Sequence, residues 1–168
     1  MKTKFYEFNQ NNSGGSFIED GQLCHRIIIE AQSEREATRI AESLGCYWNG
    51  VSEGIDCGCC GDRWHDGSEV DIEKINKKWG GLEYNKWLSV DANKEEELTR
   101  LGELFPAATW SVQPSINTEY STARLVGKML IDSIETYAQI YADMYGWTTP
   151  DCRIFYKSGE VKEIFKNI

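Results

Sequence analysis

A strand pattern that runs directly into a capped helix is the feature that most constrains the fold. Residues 25–30 centre on three consecutive isoleucines and predict a buried strand. Ser33 and Glu36 follow as the Ser-x-x-Glu pattern of a capping box. Behind them, apolar side chains recur at helical spacing, namely Ala37, Ile40, Ala41 and Leu44. Gly45 is a natural helix stop, so we expect a strand that feeds an amphipathic helix.

The second half of the chain carries a helix pattern and a hairpin pattern. An apolar stripe predicts one long helix over about 119–145. The stripe comprises Val126, Leu130, Ile134, Tyr137, Tyr141 and Tyr145. Residues 153–157 and 160–165 flank a Ser-Gly pair, which is typical of a β-hairpin. Residues 106–117 show no clear period and are expected to be irregular.

The N-terminal residues complete the fold prediction. Alternating aromatic side chains in residues 4–8 predict a strand, and the Asn-, Gly- and Ser-rich residues 9–16 predict a loop. A length of 168 residues fits one domain. Together the patterns predict an α+β (mixed α/β) fold in a single domain, 1–168, with at least five strands and about three helices.

Two segments resemble one another at an offset of 61 residues. Residues 31–42 and 92–103 are identical at six of twelve positions, and each follows a strand pattern. One interpretation is a duplicated βα unit, 26–44 and 87–105, whose two copies would share one sheet. The other is that two Glu-rich capped helices look alike because the same rules build both. Residues 46–81 separate the units as an insert rich in Cys, Gly and Trp.

The charge balance excludes several classes of partner. The chain has 27 acidic and 18 basic side chains, a net charge of −9. An acidic chain is a poor sequence-independent binder of nucleic acid and is not attracted to an anionic membrane surface. No apolar run has the length of a membrane span or of a secretory leader. We therefore expect a cytoplasmic protein whose six cysteines remain reduced.

Three of the six cysteines crowd into one short segment, Cys57-Gly58-Cys59-Cys60. Cys57 and Cys60 have the C-x-x-C spacing of half a zinc knuckle, in which a tight turn directs two thiolates at one metal ion. A structural zinc ion needs two more ligands, for which Cys46 and His65 are the main candidates; Cys24 and His25 are others. The alternative is a loop of free thiols.

Two loops are candidates for binding an anionic ligand. The glycine-containing loop 9–16 offers backbone N–H groups, and Arg63 next to Trp64 offers a cation beside a stacking surface. The predicted ligand-binding residues are Asn9, Asn11, Ser13, Gly14, Gly15, Arg63 and Trp64. If the loops lie side by side with Arg63 on the surface, Arg63→Ala should abolish binding and leave the fold intact. The alternatives are a plain hairpin connection and a salt bridge beside a core tryptophan.

Motifs that carry catalysis are missing. There is no G-x-S-x-G, no H-E-x-x-H and no deaminase signature, and the chain has only two histidines. Residues 62–73 approach a calcium-binding loop, but its third position is Trp64, which cannot be a ligand. We therefore predict no catalytic residues and a protein that is not an enzyme.

Two motifs carry a family resemblance: FYEFNQNNSGGSF at residues 5–17 and GIDCGCCGDRW at residues 54–64. On these motifs, residues 4–65 resemble a family of small, uncharacterised tailed-bacteriophage proteins. The resemblance implies a bacterial host cytoplasm. It brings no activity with it, although small accessory phage proteins often inhibit host defences by binding an enzyme or by sequestering a nucleotide-derived signal.

The functional hypothesis combines these points. We expect a non-catalytic phage counter-defence protein that sequesters a small nucleotide-like immune signal. One alternative is an acidic inhibitor of a host defence protein, or a nucleic-acid mimic. A third is a zinc- or thiol-dependent enzyme. Zinc is the only cofactor that the sequence suggests, and homo-oligomers are compatible with it.

Overall fold

The predicted strand and capped helix are both present in the computed structural model, which describes residues 2–106, 108–114 and 121–167. The strand is Arg26–Ala31 and the helix is Glu34–Leu44. The Ser33 side chain accepts a hydrogen bond from the Glu36 N–H, and a Glu36 carboxylate oxygen accepts one from the Gln32 N–H. Gly45 ends the helix with φ of 117°, where a side chain would be strained.

Eight strands and four α-helices form in the described ranges, so the fold is α+β. In chain order the elements are β1 (Lys4–Asn9), β2 (Arg26–Ala31), α1 (Glu34–Leu44), β3 (Ser68–Val70), α2 (Ile72–Trp79), β4 (Leu82–Ser89), α3 (Lys94–Leu104), β5 (Thr109–Pro114), β6 (Ser121–Met129), α4 (Ile134–Tyr145), β7 (Cys152–Phe155) and β8 (Val161–Ile164). None of the helices in these ranges combines the length and apolar character that crossing a bilayer requires.

The chain divides into two units, Met1–Asp71 with Tyr141–Ile168, and Ile72–Ile140. The single domain over 1–168 stays a prediction.

The first unit is built on a five-stranded sheet in the order β3-β1-β2-β7-β8. β2 is antiparallel to β1 and parallel to β7, and β7 and β8 form the predicted C-terminal hairpin. All three isoleucines of β2 are buried, as expected of a central strand with both faces covered. Ala37 and Ala41 of α1 belong to the same core cluster as Phe8 of β1.

The second unit has a three-stranded antiparallel sheet in the order β4-β6-β5. Tyr84 of β4 meets the Trp110 ring of β5 edge to face, with centroids 5.4 Å apart. Phe105, just after α3, completes this aromatic cluster at 5.0 Å from Tyr84. The cluster forms where Gly127 of β6 leaves room for the indole of Trp110.

The prediction of one long helix over 119–145 is wrong for its first half. Residues 121–129 form a strand, and α4 begins only at Ile134; residues 119 and 120 lie outside the described part. Burial in β6 alternates, with Ala123, Leu125 and Met129 inside, which is the period of a strand. The expectation that residues 106–117 are irregular is also wrong, because residues 109–114 form β5.

The two similar βα segments do not share a sheet, so that expectation is wrong. β2 lies in the five-stranded sheet and β4 in the three-stranded one, where β4 is antiparallel to its neighbour. Each following helix has a polar side chain as N-cap, Ser33 and Asn93 respectively, and acidic residues in its first turn. Common capping rules account for this similarity, and a duplication stays a hypothesis.

Candidate metal site on the cysteine loop

The two loops that the sequence singled out lie side by side in the first unit. The Asn11 N–H donates to the Arg63 carbonyl oxygen at 2.8 Å, and the Asn11 side-chain amide donates to the Asp62 carbonyl at 2.7 Å. The Cys57 N–H donates to the Ser13 hydroxyl at 3.1 Å. The His65 N–H donates to the Asn9 carbonyl at 2.9 Å. Loop 9–16 therefore supports the segment 57–65.

Arg63 lies inside this arrangement and not on the surface, so the expectation of an exposed cation is wrong. Its side chain is 11 % exposed. The guanidinium donates to the carbonyl oxygens of Ser13 at 2.8 Å and Ser16 at 2.7 Å. It also donates to the Tyr47 hydroxyl at 3.2 Å and lies 3.8 Å from the Asp56 carboxylate. The guanidinium N–H groups that we expected to bind a phosphate therefore bind acceptors within the protein.

Trp64 and the two loop glycines have different surroundings. Trp64 is 3 % exposed and belongs to the core cluster, as the alternative interpretation held. Gly14 and Gly15 are exposed, with φ of 71° and 85°. The Gly15 N–H closes a turn onto the Asn12 carbonyl at 2.7 Å. A ligand at the backbone of this loop stays a prediction.

Three cysteines form a cluster near the surface of the site. The sulfur atoms of Cys57, Cys59 and Cys60 all lie within 4.8 Å of one another. The Cys57–Cys59 and Cys59–Cys60 distances between sulfur atoms are 2.8 and 3.8 Å. A turn creates this proximity, because the Gly61 N–H donates to the Cys57 carbonyl at 3.1 Å. Cys59 and Cys60 are exposed and Cys57 is partly buried.

The ligand set predicted from the sequence is only half present. Cys57 and Cys60 meet, but Cys46 is buried in the core and His65 is exposed outside the group that the described residues form. Cys59 takes part instead. The sequence signal for Cys59 is its C-x-C spacing from Cys57.

The surroundings shift the pKa of the three core thiols and of two thiols in the cluster. Burial raises the pKa of Cys24 and of Cys46 to about 12, and it also raises the pKa of Cys152. In the cluster, a hydrogen bond from the Cys59 thiol, helped by the Cys59 and Cys60 N–H groups, lowers the pKa of Cys57 to about 7. The same thiol contact raises the pKa of Cys59 to about 11. The core thiols are therefore inert, whereas the lowered pKa of Cys57 favours the thiolate that a metal ion binds.

The cluster could bind a metal ion. Tetrahedral zinc with zinc–sulfur bonds of about 2.3 Å separates its sulfur ligands by about 3.8 Å. The Cys59–Cys60 distance is 3.8 Å, and the Cys57–Cys59 distance would have to widen from 2.8 Å. Rotation of exposed side chains provides that change.

Fold and site together describe an α+β protein that carries a cluster of three thiols on a braced surface loop. Residues 3–96 match the family described as a domain of unknown function, DUF7296. The match spans more than half of the chain, and the chain belongs to this family. Both motifs of the resemblance lie inside the matched residues, which extend beyond residue 65. No curated protein and no solved structure shows a significant match.

Proposed function

We propose that this chain is a non-catalytic metal-binding protein that holds a thiophilic divalent ion, zinc first of all, at Cys57, Cys59 and Cys60. The observation that carries the proposal is the meeting of three sulfur atoms within 4.8 Å on one turn. Thiolate ligands favour zinc and copper(I) over hard cations such as magnesium or calcium. Zinc also adapts to the geometry of its ligands, since its filled d shell imposes no preferred coordination geometry.

The surroundings of the turn support binding. Ser13 and Asn11 hold the backbone of Cys57 and Cys60 through hydrogen bonds of 3.1 and 3.3 Å, and Arg63 holds the Ser13 carbonyl. A turn that is already ordered loses little conformational entropy when a metal binds. These contacts give the first family motif a role as the support of the second.

The nucleotide-like ligand expected from the sequence has less support in the geometry. The Arg63 donors are occupied by loop carbonyls, and the indole of Trp64 is in the core. The adjacent cleft of about 510 Å³ contains Asp62 and Asp66, which repel phosphate. Signal sequestration, inhibition of a host protein and a phage origin stay hypotheses.

The test is metal analysis of protein purified from cells without chelator. We expect one zinc per chain by elemental analysis and by native mass spectrometry. Cys57→Ser, Cys59→Ser and Cys60→Ser should each lose it. Cys46→Ala and His65→Ala are matched controls that keep it. Metal-free wild type that also fails to bind added zinc would overturn the proposal, and a retained nucleotide in the same spectra would revive the sequence hypothesis.

A further inference from the structure

The side of the cysteine cluster that faces solvent suggests how the site is used. We infer that a metal ion on Cys57, Cys59 and Cys60 keeps one coordination position for a small thiol from outside the chain. Through that position the protein takes up and releases its metal while it stays folded. The inference rests on the proposed function, because it needs the metal to bind there.

The first step concerns the number of ligands. Zinc takes four, and sites with three protein ligands keep the fourth position for water or a substrate. Across the described residues, the group that meets at this turn contains three sulfur atoms and no fourth ligand atom. The other cysteines, Cys24, Cys46 and Cys152, are buried.

The acidic side chains that flank the turn are already engaged. The Asp56 side chain is 1 % exposed, and its carboxylate accepts hydrogen bonds from the Tyr47 hydroxyl at 2.6 Å and from the Arg63 backbone N–H at 2.8 Å. Asp62 accepts one from the Val51 N–H at 2.9 Å. Neither carboxylate belongs to the group of ligand atoms that meet at this turn, and exposed Cys59 and Cys60 leave the fourth position to solvent.

The second step concerns what holds the loop. Its main contacts run from Ser13 to the Cys57 N–H, from Asn11 to the Cys60 carbonyl, and from Arg63 to the Ser13 carbonyl. None of these three contacts uses a sulfur atom. They therefore hold the cysteine turn against loop 9–16 with or without metal, unlike a zinc finger, which unfolds without its ion. Metal can leave without global unfolding.

The third step concerns the outside ligand. A metal ion with three thiolate ligands favours another soft donor, such as sulfur, as its fourth ligand. An incoming thiol loses its proton when it coordinates the metal. A second copy of this chain would bring another net charge of −9 to the site and is repelled. A small thiol carries no such penalty and reaches the exposed sulfur atoms of Cys59 and Cys60.

The absorption spectrum of the protein with cobalt(II) in place of zinc shows whether the fourth ligand is a sulfur atom. With 2-mercaptoethanol, the sulfur-to-cobalt absorption of the protein should rise by about one third, the ratio of four sulfur ligands to three. His65→Ala and Cys46→Ala should give the wild-type spectra with and without thiol. A spectrum that does not respond to thiol, or that changes in His65→Ala, would show that the chain fills the position itself and would overturn the inference.

Transfer of zinc to a coloured chelator tests the exchange. We expect the rate of zinc transfer to increase in proportion to chelator concentration, because the chelator binds the metal through the open position. The circular dichroism spectrum should stay unchanged, because the protein stays folded. A rate independent of chelator concentration would mean release by slow dissociation and would contradict the inference. Complexes of two chains with one metal would assign the position to a second copy. Failure to bind cobalt or zinc at all would instead reject the proposed function, and this inference with it.

Discussion

Arg63 and Cys57 belong to the same loop, yet their surroundings give them opposite properties. The guanidinium of Arg63 is enclosed by carbonyl oxygens and by Asp56, so it acts as a positioning residue. The Cys57 sulfur lies beside Cys59 near the surface, where a metal ion or a reagent can reach it. At the scale of the residue, burial and hydrogen-bond partners decide these roles.

Replacing Arg63 should destabilise the protein. Arg63→Ala leaves the Ser13 and Ser16 carbonyls and the Asp56 carboxylate without their cation, so we expect the free energy of unfolding to fall by about 3 kcal/mol. Arg63→Lys should lower the free energy of unfolding by less, because it keeps the positive charge although it lacks the planar set of donors. The control is Arg35→Ala on the exposed face of α1, with a change within about 0.5 kcal/mol. Urea unfolding measures all three, and equal values for Arg63→Ala and Arg35→Ala would contradict the assignment.

The metal-free loop should contain one unusually reactive thiol. The thiolate is the nucleophile, so alkylation of Cys57 by iodoacetamide should increase as pH rises through its lowered pKa of about 7. Cys59, with a pKa raised to about 11, should react only at higher pH. Peptide mass spectrometry after short pulses at each pH separates the sites. The prediction fails if both thiols share one pH midpoint.

At the scale of the element, strand β6 shows how neighbours choose between two local patterns. Val126 in this strand begins the apolar i, i+4 stripe that favours a helix, while buried Ala123, Leu125 and Met129 have the alternation of a strand. β4 and β5 provide hydrogen-bond partners on both sides, from Leu82 opposite Met129 to Pro114 opposite Ala123. Those ladders, together with the aromatic cluster around Trp110, stabilise the strand.

Gly127 in the middle of β6 should not tolerate a side chain. A Cβ at this position would lie 2.6 Å from the ring of Trp110, so Gly127→Ala should cost about 1–3 kcal/mol by overpacking. Gly102 on α3 is the matched control, because a Cβ there meets no atom within 4 Å. Gly102→Ala should stabilise by about 0.5–1 kcal/mol through helix propensity. Thermal unfolding compares the two, and a neutral Gly127→Ala would argue against this packing.

At the scale of the whole chain, the candidate metal site and the core that supports it belong to the first unit. The cysteine loop adjoins β1 through Gln10, which pairs with Trp64 as an isolated bridge. Residues 3–96 of the family match include this loop and continue into the second unit through α2 and β4. Any free energy of metal binding is therefore available to stabilise the folded first unit.

Zinc should raise the melting temperature by mass action. At free zinc about 100-fold above the dissociation constant, the folded state gains about 2.7 kcal/mol. Since thiolates are the ligands, the gain should shrink as pH falls and protons compete for sulfur. Calorimetry of wild type with zinc and with chelator measures the shift, and Cys59→Ser should show none. A shift of equal size in Cys59→Ser would place the zinc elsewhere.

Local rules were enough to predict β1, β2, α1 and the C-terminal hairpin. The cap of α1 is made by residues within four positions of each other, and side-chain periodicity is contained in one segment. The C-x-x-C turn was equally visible, because a turn brings Cys57 and Cys60 together without help from the rest of the chain. Two of the three cysteines of the candidate site were therefore accessible from the sequence.

Contacts between distant residues decided the rest. β6 is a strand because β4 and β5 pair with it, and Arg63 is buried because carbonyls almost fifty positions earlier in the chain enclose it. The same packing keeps Cys46 in the core, away from the cysteine cluster, and leaves Cys59 in the cluster. Desolvation and ladder hydrogen bonds depend on what the folded chain places nearby. Residue types and spacing do not carry that information, so only the tertiary structure could assign Arg63 to the scaffold and the three thiols to the surface.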